Sequence, residues 1–486
     1  ELIASVMRTF RIAGQVAPLA ELTWWMMEGA QRWANDDPDG CRQAVESGLA
    51  RARALGVHLL DFMFYTLAAS ASLCAGDPAA AEAYLAEMPE SLRRAINKDG
   101  LTYYHLLSAQ TALYQNDLVR AREHAELVHE RLNDSEAPLA MIMDMAANAQ
   151  VLIETGAHAL AAKAIRMARS WCVKLNSPPY LDFHLLLCEA ELALAQRGEQ
   201  AALRSIRRAM SFGRARGYFN HPWLGWRRPL LTRLYTLALA HGIETEYVRE
   251  LVRRQRLVPV DPPQATVAWP WPIRIFSLGR CELLVDDQPL NGKRSLRGKP
   301  LELLQALIAH GGENVAEQTL TDHLWPDTDG DAAHHALETT LYRLRKLIGN
   351  EQALVLQNGR LSLNARYCWL DLWAVQQLLR ELDAQLRQAD DAALRRSAAQ
   401  LRELYGGPLL YQSGDGGWLL LPRERLQTQL HQAVLWLGTF WEERGDWHAA
   451  AELYAWWQEQ QPQQEELCRR LMLCYRQLGR LGEARA

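Results

Sequence analysis

The residues with the most suggestive chemistry lie in one run, Ala336-Leu337-Glu338-Thr339-Thr340-Leu341-Tyr342-Arg343-Leu344-Arg345-Lys346-Leu347-Ile348-Gly349. On a helix turning about 100° per residue, Leu337, Leu341, Leu344 and Ile348 share a face that Ala333 extends towards the N-terminus. The opposite face carries His335, Thr339, Tyr342 and Lys346, with Arg343 and Arg345 on its flanks. A leucine stripe opposite imidazole, hydroxyl, phenol and cationic groups can be seated on a core and still read base edges in a groove. An ordinary amphipathic surface helix carries the same stripe, so its neighbours decide.

Catalytic and metal chemistry find little support. His334 and His335 are adjacent, so they point in different directions on a helix, and no third ligand lies at suitable spacing. Asp327, Asp329 and Asp331 alternate like the start of a calcium loop, and loop capping is the better account of them. Gly292-Lys293-Arg294-Ser295 has the lysine of a phosphate loop without its spacing or upstream glycine. The chain is therefore expected to be no enzyme and to hold no cofactor. The eight cysteines are scattered without a Cys-x-x-Cys pair and suit a reduced, cytoplasmic interior. No apolar run reaches about twenty residues, so no membrane partner is expected.

The elements that must position the polar helix are legible around it. Ile273–Leu278 and Cys281–Val285 are β-prone runs separated by Gly279-Arg280. Pro300–His310 is predicted as a helix with Leu301, Leu304, Leu307 and Ile308 inward, stopped by Gly311-Gly312. A second helix runs from about Ala316 to Trp325, ended by Pro326. After Gly349, Leu354–Gln357 and Arg360–Leu363 flank Asn358-Gly359, a pair that favours a type I′ turn. Sheet, helix, helix, loop, helix, hairpin is the order of a winged helix-turn-helix, with Asn358-Gly359-Arg360 at the tip of the wing.

Gly279 through Asp371 resembles an OmpR/PhoB-type DNA-binding domain, in the variant of SARP-type regulators that a bacterial transcriptional activation domain follows. The matching residues are Leu341-Tyr342-Arg343-Leu344-Arg345-Lys346 with Gly349, Trp369-Leu370-Asp371, Tyr405-Gly406-Gly407-Pro408-Leu409-Leu410 and Arg423-Glu424-Arg425-Leu426. The resemblance implies a bacterial, nucleoid-associated protein in which Ala332–Ile348 is the recognition helix on double-stranded DNA. Arg343, Arg345 and Lys346 would hold phosphates, and Arg360 would lie near the minor groove. The loop between the second and third helices would touch RNA polymerase.

One departure is the charge of this region: Ile273 to Arg366 holds 11 Lys/Arg and 12 Asp/Glu. Binding then rests on local clusters, the run Lys293 to Lys299 with Lys293 and Arg297, and Arg343 to Lys346. That implies modest affinity per domain and several copies acting together, a homo-oligomer. The competing reading is a protein-interaction scaffold whose winged helix no longer binds DNA.

The overall expectation is a mainly α chain: a TPR-like α-solenoid, an α+β winged helix-turn-helix, and a C-terminal TPR-like helical domain. Turn signals near Asp37, Gly76-Asp77, Asn116-Asp117, Gly156-Ala157, Gly198-Glu199 and Gly242-Ile243 recur about every forty residues, which marks helical repeats over 1–256. This half is similar to the superhelical sensor of MalT-type regulators, above all in Arg233 to Val248. That similarity implies a small-molecule or protein inducer on the solenoid, and a nucleotide-hydrolysing domain before Glu1. Residues 257–272 read as a proline-rich linker, extended and semi-rigid, with Trp269 and Trp271 pinning it to a neighbour. The DNA reader spans 273–370 and the activation domain 371–486, where Gly445-Asp446 and Gly479-Arg480 are 34 residues apart. Five tryptophans, Trp436, Trp441, Trp447, Trp456 and Trp457, are expected mainly to fill that domain's core.

Overall fold

The computed structural model describes residues 17–480 and 482, apart from 36, 96–97, 132–137, 178, 220–227, 260, 291–295, 412–416 and 463. The chain divides into two compact units, Glu1–Leu257 and Val258–Ala486. Among the described residues no helix is long and apolar enough to cross a membrane.

The first unit is a stack of antiparallel helix pairs. They are α1 (Pro18–Ala34) with α2 (Pro38–Leu55), α3 (Asp61–Ala75) with α4 (Pro78–Ala95), and α5 (Lys98–Tyr114) with α6 (Leu118–Arg131). Then follow α7 (Pro138–Glu154) with α8 (His158–Leu175), α9 (Pro179–Arg197) with α10 (Glu199–Arg216), and α11 (Arg228–Ala240) with α12 (Thr245–Arg254). The same local device turns the chain in successive pairs. Gly76 and Asn116 take positive φ, and the amides of Asp77 and Asp117 reach back to Ser72 O and Ala112 O at 2.9 Å. The Asp77 and Asp117 carboxylates then cap the next helix by accepting from Ala80 N and Arg120 N. Fully buried Ala81, Ala121, Ala161 and Ala202 follow the turns at near-constant spacing and let paired helices approach closely.

The second unit is α+β. β1 (Ile273–Phe276) pairs antiparallel with β2 (Glu282–Val285), which pairs with β3 (Gln288–Pro289). Helices α13 (Lys299–Ala309), α14 (Glu317–Leu324) and α15 (Gly330–Ile348) follow, with β4 (Val315–Ala316) just before α14. The hairpin β5 (Leu354–Gln357) and β6 (Arg360–Leu363) joins β4 in a sheet of order β4-β6-β5. β7 (Cys368–Leu370) returns to lie parallel to β1, closing a four-stranded sheet. Helices α16 (Asp371–Gln388), α17 (Asp391–Leu404), α18 (Leu420–Glu443), α19 (Trp447–Gln460) and α20 (Glu465–Gln477) complete the unit.

Three expectations change. Trp269 and Trp271, both buried, pin the linker as expected, but the segment is no extended spacer: the Gln264 side chain donates to Cys368 O at 3.0 Å, and its backbone carbonyl accepts from Trp369 Nε1 at 2.9 Å. Two buried indoles and the Gln264 hydrogen bonds outweigh the stiffness of the prolines, so the segment packs as part of the second unit. In α13 it is Leu303 that is fully buried, with Leu304, Leu307 and Ile308, while Leu301 sits half-buried at the first turn. Of the five tryptophans Trp441 and Trp457 are core, Trp447 and Trp456 are half-buried, and Trp436 is exposed.

Candidate nucleic-acid interface

Helix α15 is fixed from one side only. Ala333, Leu337, Thr340, Leu341, Leu344 and Ile348 are buried, and the helix packs on α13 and α14. Asp329 caps its start by accepting from Gly330 N at 2.9 Å, and Gly349 ends it in the left-handed region. With Gly330 already helical, the aspartates at 327, 329 and 331 form no continuous loop, and no cluster of metal-ligating groups exists among the described residues.

The outward side of α15 carries what the sequence places there. Tyr342 is 65% exposed, the His335 side chain is 83% exposed, and Arg343 and Lys346 are exposed with no ion pair among the described residues. Thr339 is half-buried. Beside the helix stands the wing: Asn358 and Gly359 both have positive φ, at 51° and 69°, and the turn is exposed. Arg360 is exposed too, and its guanidinium donates to Asn314 O at 2.9 Å, which holds it at the base of the β4–β6 pair.

Arg345 departs from the expected free phosphate-holding cation. Its guanidinium donates twice to Leu354 O, at 3.2 and 2.8 Å, and so ties the last turn of α15 to the first residue of the wing. An arginine facing a strand's first carbonyl satisfies an acceptor that water would otherwise claim. His334 also has a partner: Nδ1 lies 3.0 Å from Glu317 Oε2 and clasps α15 to the start of α14. Arg297 is exposed before α13, and Lys293 lies outside the described residues.

The interface rests on a junction that spacing alone did not reveal. The Asp371 carboxylate, 1% exposed, accepts from Ser277 N (2.7 Å), Ser277 Oγ (2.6 Å), Leu278 N (2.9 Å) and Leu372 N (2.8 Å). Burial pushes its pKa up, and those hydrogen bonds oppose the rise. Next to it the segment 405–410 crosses the end of β1. Gly279 N donates to Pro408 O at 3.0 Å and Leu410 N to Ser277 O at 2.6 Å, while Arg423 donates to the carbonyls of Leu409 and Leu410. Gly279 has φ +76°, and a Cβ there would lie 2.3 Å from Gly406 O. A lone acid after the apolar Cys368-Trp369-Leu370 was the available signal for this latch. A second seam is aromatic: His310 stacks on His323 at 5.0 Å and His323 on Trp418 at 5.8 Å.

Comparison with known families agrees with this architecture. Residues 291–358 match the family described as transcriptional regulatory protein, C terminal, and residues 370–486 match the bacterial transcriptional activator domain. Both are regulatory families rather than catalytic ones. Among solved structures, the chain is similar to Mycobacterium tuberculosis EmbR in complex with low affinity phosphopeptide, at 18% identity and TM-score 0.34. That likeness covers 44% of this chain and 57% of that one, so the chain spans little more than half the length of EmbR. It is also similar to a circular tandem repeat protein with novel repeat topology and enhanced subunit contact surfaces, at 14% identity and TM-score 0.20 over 96% of this chain and 97% of that one. No curated protein matches.

Proposed function

We propose that this chain, a SARP-type transcriptional regulator by the domain pair of its second unit, binds specific double-stranded DNA sites and activates transcription from them. The observation that carries this reading is the solvent-facing polar side of α15, with His335, Tyr342, Arg343 and Lys346 exposed beside an exposed wing. In this reading His335, Thr339 and Tyr342 meet base edges, and Arg343, Lys346, Lys293 and Arg297 hold phosphates. Arg360 follows the minor groove from the wing. Arg345 sets the angle between helix and wing through Leu354 O. Phosphate contacts fix register, and base contacts supply discrimination.

The finer organisation belongs to the same proposal. Residues 1–256 act as sensor, 257–272 join sensor to reader, 273–370 read DNA and 371–486 form the activation module. The exposed loop Pro326 to Asp329 meets RNA polymerase, and several copies bind together in the bacterial cytoplasm. The test is retention of genomic fragments at two salt concentrations. Selective, salt-weakened retention of a few fragments is expected. The balanced charge of the winged helix favours the scaffold reading instead, and retention of no fragment at either salt concentration would establish it.

A further inference from the structure

The first unit holds a cavity of about 380 Å³ among α1, α3, α5 and α7, the first helices of four successive pairs. That volume lies within the roughly 300–1,000 Å³ of small-molecule sites. Its walls are apolar: Trp33, Phe62, Leu67, Leu73 and Leu107 line it, with Ala147 from α7, and exposed Met63 stands at the rim. No described residue lining it carries a formal charge. Of the three hydroxyls in the wall, on Thr66, Ser70 and Tyr103, two are occupied within α3: Thr66 Oγ1 donates to Phe62 O at 2.9 Å and Ser70 Oγ to Thr66 O at 2.8 Å. Gln110 is different. It is 5% exposed, lines the cavity, and its side chain makes no hydrogen bond among the described residues.

We propose that this cavity binds a neutral, mainly apolar small molecule with one or two rings, or an alkyl body of that size, whose single hydrogen-bonding group meets the Gln110 amide. A charged ligand would bury its charge against walls that offer no partner, which selects against acids and amines. An amide facing an otherwise apolar cavity gives a ligand donor or acceptor its strongest hydrogen bond there, and this fixes the ligand's orientation. Because the walls come from four repeats, an occupant bridges them and favours one stacking of the repeats over others. That regulatory consequence rests on the sensor reading above; the binding itself does not.

The experiment compares two dyes on the full chain: neutral phenylnaphthylamine, with one N–H donor, and anilinonaphthalene sulfonate, the same skeleton with an added anion. Saturable one-to-one binding of the neutral dye is expected, at least about tenfold tighter than the sulfonate. Ser70→Phe, which fills the cavity, should abolish the neutral dye's signal with the far-ultraviolet circular dichroism unchanged. Gln110→Leu, close in shape, should weaken the neutral dye about two- to tenfold, and it decides the matter if Ser70→Phe fails to fold. Equal affinity for both dyes, or a Gln110→Leu chain that binds as tightly as the parent, overturns the proposal. DNA retention is measured in the same samples: dye binding that leaves it unmoved keeps the site and removes only the sensor reading.

Discussion

In the first unit, what holds a helix is close by in the chain: Asp77 caps with Ala80, Asp117 with Arg120, and each pair rests on the pair before and after it. In the second unit, Asp371 and Ser277 are 94 residues apart and share two hydrogen bonds, and the 405–410 segment threads across the end of β1. Local closure costs little chain entropy and lets damage stay where it falls, as in repeat arrays. Non-local closure makes the winged helix and the helical module one cooperative body. The two halves therefore answer the same kind of substitution differently.

The sharpest way to break this contrast is Gly279→Ala. A methyl 2.3 Å from Gly406 O, on a backbone at φ +76°, forces the crossing apart. The expected cost is about 3 kcal/mol. Hydrogen exchange should rise together in β1, β7 and residues 405–410, with DNA retention lost. Exchange rising in β1 alone would deny the shared body.

Acid should act on the first unit next. Burial holds His184 and His105 down at about 4. Between pH 6.5 and 4 the unfolded chain takes up protons that the folded solenoid refuses, so stability is full above that window and falls as the pH drops through it. For fully buried His184 the loss is roughly 3 kcal/mol. Exchange in α9 at pH 7 and pH 5 checks this, and His184→Met should flatten the difference. His310, lowered by burial and by its neighbour His323, adds a weaker acid sensitivity in the second unit.

Ala121→Leu overpacks a fully buried position and should cost about 1–3 kcal/mol, with faster exchange confined to α5–α8 and DNA retention unchanged. The smallest effects belong to the interface itself. Arg343→Ala or Lys346→Ala should weaken retention of every fragment and reduce the salt slope by about 1, while Tyr342→Ala relaxes discrimination by about 1 kcal/mol. Arg345→Ala should also lower thermal stability, because it frees Leu354 O. If Arg345→Ala behaved only like Arg343→Ala, its positioning role would be gone.

What could be read from the sequence follows the same division. Gly76-Asp77 and Asn116-Asp117 are local signals, and so is Asn358-Gly359; each forms the turn its residues favour. The leucine stripe of α15 is periodic and fell as expected, with Thr340 joining it because its hydroxyl bonds back to Ala336 O at 2.7 Å. Pairing across long separations was not legible. Nothing in Ile273-Arg274-Ile275 names Cys368-Trp369-Leu370 as its parallel neighbour. Likewise, no spacing rule sends Gln264 to Cys368 and Trp369, or Arg345 to Leu354. Those choices are settled by which buried donor lacks an acceptor once the chain has collapsed, a tertiary question.

The crossing at Gly279 bears on how the molecule can be divided. A fragment ending at Leu370, where the matched activation family begins, would give up the carboxylate that serves Ser277 and Leu278 and the backbone that covers the end of β1. Four amide or hydroxyl hydrogens, on Ser277 N, Ser277 Oγ, Leu278 N and Gly279 N, would lose their acceptors just past the end of β1, loosening the sheet that backs the winged helix. Isolating a working reader by scissors thus requires carrying the chain through Arg423, far past the boundary that family matching suggests.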